Sequence, residues 1–193
     1  MSVNHNQPLE ELTELIQDCI KGHRFAQSRL YTLLSPKLFA VCLRYSRSRE
    51  EAEETLQEGF MRVFNYMHQF RYDGSFEGWA RKVVVNCALQ KYRSTSKMYA
   101  IVDIEHTQVE TMGFEDITTQ IGTKELLKMI QDLPPTYRMV FNLYVFEGYK
   151  HREIAQMLAI SEGTSKSNLF DARLILQKAV KKSLMIKSNV HCL

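Results

Sequence analysis

The stretch from Gly148 to Lys182, GYKHREIAQMLAISEGTSKSNLFDARLILQKAVKK, limits what this chain can fold into more than any other. Its apolar residues recur at helical spacing on both sides of a short break. Ile154, Ala155 and Leu158 share one face of a helix over about residues 150–158. Ser165, Leu169, Ala172 and Leu176, at i, i+4, i+7 and i+11, form a stripe on a second, longer helix. Ala159-Ile160-Ser161 remains as the turn, and the Ser161 hydroxyl can accept a bond from a free N–H in the second helix's first turn. The small side chain of Ala155 lets the two helices cross closely. Lys166, Ser167 and Phe170 lie off the stripe, with Arg173 on the flank. A short helix, a tight turn and a longer helix with basic and hydroxyl groups outward is the form of a DNA-reading helix-turn-helix, although a packed helical pair without a DNA partner shares the same periodicity. Two residues fit the motif less well. A left-handed turn at Ala159 would cost about 1 kcal/mol relative to glycine, and Ser165 places a hydroxyl on the core stripe.

The rest of the chain supplies more helices and an interruption. Leu12, Leu15, Ile16, Cys19 and Ile20 mark one helical face that Gly22 ends, after a frayed segment over residues 1–8. A second helix covers about residues 23–34, bends or restarts near Pro36, and continues over 37–47. A third runs from Ser48 to Met67, with Ala52, Leu56, Phe60, Val63 and Phe64 inward. Glu50, Glu53, Glu54, Gln57, Glu58 and Met61 lie off that stripe, as a solvated face or a docking surface for a basic partner. The turn Gln69–Ser75 gathers Phe70, Arg71 and Tyr72 around an aspartate-glycine pair. A helix over 76–93 follows, burying Phe76, Ala80, Val83, Val84, Cys87, Ala88 and the stem of Lys91. Trp79, Lys82, Asn86, Gln90 and Arg93 fall on its other face. An exposed aromatic ring among cations and amides is what single-stranded nucleic acid needs: bases stack, cations follow phosphates, amides read base edges. The alternative for Trp79 is packing beneath the preceding loop.

Charge divides the chain. Residues 1–95 carry 13 Lys and Arg against 11 Asp and Glu, residues 96–122 carry 1 against 5, and residues 123–193 carry 11 against 6. Two mildly basic blocks therefore flank an acidic, flexible linker, with short helical pieces near Phe114–Ile121. The second block opens with a helix over 124–133, broken at Pro134-Pro135. Thr136 then caps a helix over 137–147, whose Val140, Phe141, Tyr144 and Val145 cover the helix-turn-helix. After Lys182 the tail has no clear partner. A formal net charge of +3 excludes indiscriminate coating of nucleic acid.

Catalysis finds no footing here. Cys19, Cys42, Cys87 and Cys192 lack metal-site spacing, and Cys42 and Cys87 sit among apolar neighbours as small buried hydrophobes. No Gly-rich phosphate loop occurs, and the six histidines are scattered. The pattern implies no cofactor, no metal, no small-molecule substrate and no enzymatic activity. Without a signal peptide or an apolar run near 18 residues, a soluble cytoplasmic protein is expected.

In this order the segments resemble the sigma-70-type sigma factors of RNA polymerase, specifically the extracytoplasmic-function group. The likeness spans about residues 9–95 and 123–182. EEAEETLQEGFMRVF resembles the family's core-polymerase-binding helix, FRYDGSFEGWARKVVVNCALQKYRS its promoter-melting segment, and LPPTYRMVFNLYVFEGYKHREIAQMLAISEGTSKSNLFDAR its upstream-element reader. The resemblance implies an all-α fold of two helical domains: region 2 over residues 1–95 and a helix-turn-helix region 4 over 123–193. The acidic linker over 96–122 joins them and would occupy the RNA exit path. Core RNA polymerase would bind Glu53, Glu54, Gln57, Glu58 and Met61. The downstream (−10) element would meet Phe70, Arg71, Tyr72, Trp79, Lys82, Asn86 and Arg93. The upstream (−35) element would meet Thr164, Lys166, Ser167, Phe170 and Arg173. Promoter DNA and core polymerase are then the partners, with an anti-sigma factor as a further candidate. Ala159, Ser165 and Asn168 depart from the common pattern, Asn168 standing where a basic residue is frequent. The rival readings are a free-standing helix-turn-helix regulator, which would dimerise on a palindrome, and a sigma-like adaptor with degenerate DNA contacts.

Overall fold

A computed structural model describes residues 7–96 and 122–190, with side chains over 11–95 and 122–186. Residues 1–6 of the expected frayed start, most of the acidic linker and Cys192 lie outside the described residues, whereas Gln7 and Pro8, expected to fray, are helical. Eight α-helices and no strand occur among those described: α1 Gln7–Ile20, α2 Arg24–Tyr45, α3 Arg49–Tyr66, α4 Phe76–Ser96, α5 Thr123–Gln131, α6 Pro135–Val145, α7 His151–Leu158 and α8 Glu162–Val190. Two compact units form, Met1–Cys42 with Arg49–Ala88, and Leu43–Ser48 with Leu89–Leu193. No described helix is long and apolar enough to cross a membrane.

In the first unit, Leu30, Leu34, Leu38 and Val41 of α2 are buried along with Ala52, Leu56, Phe60 and Val63 of α3. α2 runs unbroken through Pro36, where a bend or a restart was expected, so the helix does not restart there. Pro36 lies on the exposed side of the helix, so the carbonyl it leaves unbonded one turn back faces water. Gly59 sets the spacing of α3 and α4. A Cβ there would stand 2.7 Å from Val84 Cγ2, so a larger residue would push the helices apart. Val85 is buried beside the expected stripe of α4, whose inward arc is wider than a single row. Cys42 and Cys87 are fully buried, as their neighbours imply; burial also pushes the Cys19 thiol up to about 11, which leaves it unreactive.

The second unit corrects two expectations. Pro135, rather than Thr136, begins the sixth helix: proline lacks the N–H that would be orphaned at that position, and its fixed φ suits a first turn. The tail after Lys182 continues α8 to Val190, and Ser183 Oγ hydrogen-bonds the Glu125 carboxylate of α5. Arg138 is buried, and its Nη1 donates to Gln131 O at 2.6 Å, completing the C-terminal end of α5. Ile130, Leu133, Val140, Leu143, Ile154 and Leu158 pack with the α8 stripe of Leu169, Ala172 and Leu176. Tyr144 and Val145, expected to cover the motif, are partly exposed.

Candidate nucleic-acid interface

The first surface is built on the loop before α4. Ser75 starts that helix: its Oγ accepts from Gly78 N–H at 3.1 Å and its carbonyl from Trp79 N–H at 3.1 Å. This places the rings of Phe76 and Trp79 5.4 Å apart on the first turn. Phe70 then joins three rings, at 4.8 Å from Tyr72, 5.2 Å from Phe76 and 5.9 Å from Trp79. Edge and tilted packing of this kind is the favoured geometry for aromatic pairs. Phe76 is the buried floor, Phe70 and Trp79 are half-buried, and Tyr72 is 47% exposed.

Tyr72 carries backbone strain. Its φ is +59°, in the left-handed region that costs a non-glycine residue about 1 kcal/mol or more, and the glycine two residues on relieves the same turn at φ +112°. The contact to Phe70 and a bond from Gln17 Nε2–H to Tyr72 Oη at 2.9 Å hold it there. Gln17 lies on α1, 55 residues away, and nothing in the local sequence announces it. Arg71 is exposed in the loop, and Lys82 and Asn86 are exposed along α4 beyond Trp79. Arg93 is exposed farther along the same helix, its Nε donating to Leu89 O at 3.4 Å. Trp79 is thus held between the two environments: its ring contacts Phe70 of the loop and stays partly open to solvent.

The acidic face of α3 is where its spacing put it. Glu53, Glu54 and Gln57 are exposed, Met61 is 67% exposed and Glu58 is half-buried. Two carboxylates are already paired along the helix, Glu53 with Arg49 at 2.8 Å and Glu58 with Arg62 at 2.5 Å. A basic partner would have to compete with those arginines, at little cost for the exposed Arg49–Glu53 pair.

The helix-turn-helix surface is built from directional bonds. α7 opens with Lys150 N–H donating to the Glu153 carboxylate at 2.7 Å and closes at Ala159 in the left-handed conformation, φ 56° and ψ 44°. Ser161 Oγ accepts from Thr164 N–H at 2.9 Å, as a cap should. Ser165, Leu169, Ala172 and Leu176 are all buried, confirming the stripe; Asn168, which departs from the family pattern, is buried with them. Lys166 and Arg173 are exposed, and Ser167 and Phe170 half-exposed. Local bonds qualify three of these groups. Thr164 Oγ1 lies 2.8 Å from Ser161 Oγ, Ser167 Oγ donates to Thr164 O at 3.1 Å, and Lys166 Nζ pairs with Glu162 at 2.8 Å.

Sequence reasoning missed the support of this surface. Ser165 Oγ is 2.9 Å from His151 Nδ1, and the His151 ring stacks on Tyr144 with centroids 4.7 Å apart and 23° between planes. The Arg173 guanidinium sits 5.8 Å from the centroid of the same Tyr144 ring. Burial and the Lys166 ammonium hold the His151 imidazole below the usual histidine range; Glu162 opposes them and Arg173 adds to them. No group of three or more His, Cys, Asp or Glu side chains that could hold a metal ion occurs among the described residues.

Comparison with known proteins gives the surfaces a common frame. A model of Sigma-70 region 2 matches residues 30–98, and one of Sigma-70, region 4 matches residues 123–176. The chain is similar to the ECF RNA polymerase sigma factor SigM of Mycobacterium tuberculosis, 27% identical over 166 residues, covering 86% of this chain and 82% of that protein. It is similar to the RNA polymerase sigma-H factor of Pseudomonas aeruginosa, 23% identical over 186 residues (91% and 96% covered). The ECF RNA polymerase sigma-E factor of Escherichia coli is 24% identical over 185 residues (89% and 96% covered). Among solved structures, the sigma factor RpoE of Bartonella quintana, determined in complex with the anti-sigma factor NepR, aligns with a TM-score of 0.48 and 20% identity, covering 80% of this chain and 96% of that one. With both region models matched in order, and this similarity along nearly the full length of sigma factors of one group, the chain belongs to the sigma-70 family as an extracytoplasmic-function sigma factor, a promoter-specific initiation factor and not an enzyme.

Proposed function

We propose that the chain binds core RNA polymerase through the acidic face of α3 and places two modules on promoter DNA. Residues 1–95 form the module for core polymerase and the downstream element, residues 123–193 the module for the upstream element, and residues 96–122 the linker. Glu53, Glu54, Gln57, Glu58 and Met61 meet the polymerase. Phe70, Tyr72 and Trp79 take up a base that has left the duplex, while Arg71, Lys82, Asn86 and Arg93 hold the separated strand. Thr164, Lys166, Ser167, Phe170 and Arg173 face the upstream element. A protein covering either DNA-facing surface would act as an anti-sigma factor. Work on chromosomal promoters would keep the chain in the cytoplasm.

The preformed ring cluster around Phe70 carries this reading. Extruding a base costs a few kcal/mol, and stacking on an aromatic side chain returns about 1–3 kcal/mol per base. Because Tyr72 is already held in its strained conformation, little ordering is left to be done when a base arrives. The test is run-off transcription by purified core polymerase on a genomic fragment library, with and without this protein. Specific starts that require the protein are expected, and aligning them gives both promoter elements. Tight duplex binding by the protein alone, with no starts, would instead point to a free-standing regulator.

A further inference from the structure

Ser165 is fully buried on the inner face of α8, and Asn168 is buried one turn later. The inner face of the reading helix is therefore polar at the end nearest DNA and becomes apolar only from Leu169 onward. Apolar packing has no direction, so Leu169, Ala172 and Leu176 fix the depth of α8 better than its rotation. A hydrogen bond has direction: donor and acceptor must lie within about 3.2 Å and near linearity. The bond between Ser165 and His151 is of that kind.

A helical hydroxyl has an easier partner, as Thr55 shows. It is buried on α3 and donates to Glu51 O one turn back at 2.8 Å, satisfying itself without reference to any other helix. Ser165 is paired instead with an imidazole on another helix. His151 is the first residue of α7, and its ring stacks on Tyr144 near the end of α6. The imidazole thus has one side against α6, its backbone in α7 and its Nδ1 on α8. Tyr144 extends the chain to a second point on the reading helix, the guanidinium of Arg173.

We infer that His151 and Ser165 are a positioning pair for upstream-element recognition: their bond sets the rotation of α8, and through Tyr144 the direction of Arg173, without either residue touching DNA. This rests on the reading that α8 faces the upstream element. The leverage is geometric. A side-chain tip about 6 Å from the helix axis moves about 1 Å for a rotation of about 10°, enough to break a base-edge hydrogen bond. The bond works with either neutral tautomer, Ser165 O–H donating to Nδ1 or Nδ1–H donating to Ser165 Oγ.

The test is transcription by holoenzyme from promoters with a randomised upstream element and a fixed downstream element, read as base preference at each position. Ser165→Ala is the decisive variant, because alanine fits the stripe and spares the fold. Its thermal midpoint should match the parent, while preference at the positions read by α8 falls about three- to tenfold. His151→Ala should blur the same positions, and the double variant should be no worse than the worse single one, as expected of a pair acting as one unit. Ser165→Ala with the parent's base preference would overturn the proposal. So would an additive double variant, since the two residues would then act separately. Lys166→Ala separates the two levels: if it too leaves upstream-element dependence intact, the placement of α8 on DNA is itself wrong, and the pair has nothing to position.

Discussion

The ring cluster before α4 and the helix-turn-helix are the two surfaces proposed to meet nucleic acid, and they are held by opposite physics. Around Phe70 the contacts are ring on ring, with one side-chain hydrogen bond from α1 to the outermost tyrosine. On α8 three of the five proposed contact groups are tied by a polar bond: Thr164 to Ser161, Ser167 to Thr164 O, Lys166 to Glu162. Rings accept any base that stacks, so the first surface suits holding an opened strand. Directional bonds and fixed cations discriminate, so the second suits finding the address. The difference predicts how each surface fails.

The largest effect should come from Trp79→Ala. It removes a stacking platform worth about 1–3 kcal/mol per base, so open-complex formation should fall about 5- to 150-fold. Reactivity of unpaired thymines toward permanganate measures this directly. Binding to core polymerase should survive, because the α3 face is untouched, and the salt dependence of promoter binding should not change. Trp79→Phe should recover part of the loss. If Trp79→Ala opens promoters normally, the cluster is only a loop anchor.

Lys166→Ala and Arg173→Ala should do the reverse. Each should weaken upstream-element binding about three- to tenfold, and each should lower the slope of log affinity against log salt by about 1 if the lost contact is to a phosphate. A loss of base preference with no change in slope would assign that side chain to a base edge instead. Strand opening on a promoter that does not depend on the upstream element should be unaffected. A salt-sensitive ring cluster and a salt-insensitive α8 would break the contrast altogether.

What could be read without coordinates follows the same division. Helices, turns and caps depend on neighbours in sequence, and Ser161, Ala159 and the α8 stripe were legible for that reason. Trp79 and Tyr72 were legible as residue types, but not the tether from Gln17, which depends on how α1 packs against the loop. Ser165 looked like a misfit because its partner, His151, sits in another helix and is one of several scattered histidines. The Thr136 cap failed where proline's missing N–H outweighed a side-chain hydroxyl. The tail shows no clear partner in sequence because the stripe fades past Val180, where Leu184 is only half-buried and Met185 and Ile186 are exposed. Its support includes a polar contact from Ser183 to α5, which periodicity does not register.

A smaller effect is expected in the turn. Ala159 has φ 56°, where alanine is disfavoured and glycine is not. Ala159→Gly should relieve about 1–2 kcal/mol of strain, and the greater freedom of glycine in the unfolded chain should return part of it. The net gain should be about 0.5–1 kcal/mol, read as a higher thermal midpoint. Upstream base preference should not change, because the Ser161 cap and the His151–Ser165 bond stay in place. A gain in stability accompanied by blurred preference would mean that the alanine turn, rather than the polar bond, sets the angle of α8.

The smallest effect is on pH, and its sign follows from His151. In the folded chain burial and Lys166 hold the imidazole below its ordinary value of 6.5; Arg173 acts the same way and Glu162 opposes. Lys166 pairing in turn holds the Glu162 carboxyl below its usual range, so Glu162 stays charged throughout the range where histidine titrates. From about one pH unit above 6.5 the imidazole is neutral whether folded or not, and it adds no pH dependence. As pH falls below that, the unfolded chain takes up the proton first, so stability declines until the folded imidazole also protonates. Comparing thermal midpoints at about pH 7.5 and about pH 5.5 for the parent and His151→Gln isolates this contribution from the other histidines. The parent should lose more than the variant, by a small margin because the ring is only half-buried and solvent screens its neighbours. Equal losses would mean that the imidazole is as easily protonated folded as unfolded. The polar support of α8 would then be as indifferent to charge as the ring cluster, and the contrast between the two surfaces would rest on salt alone.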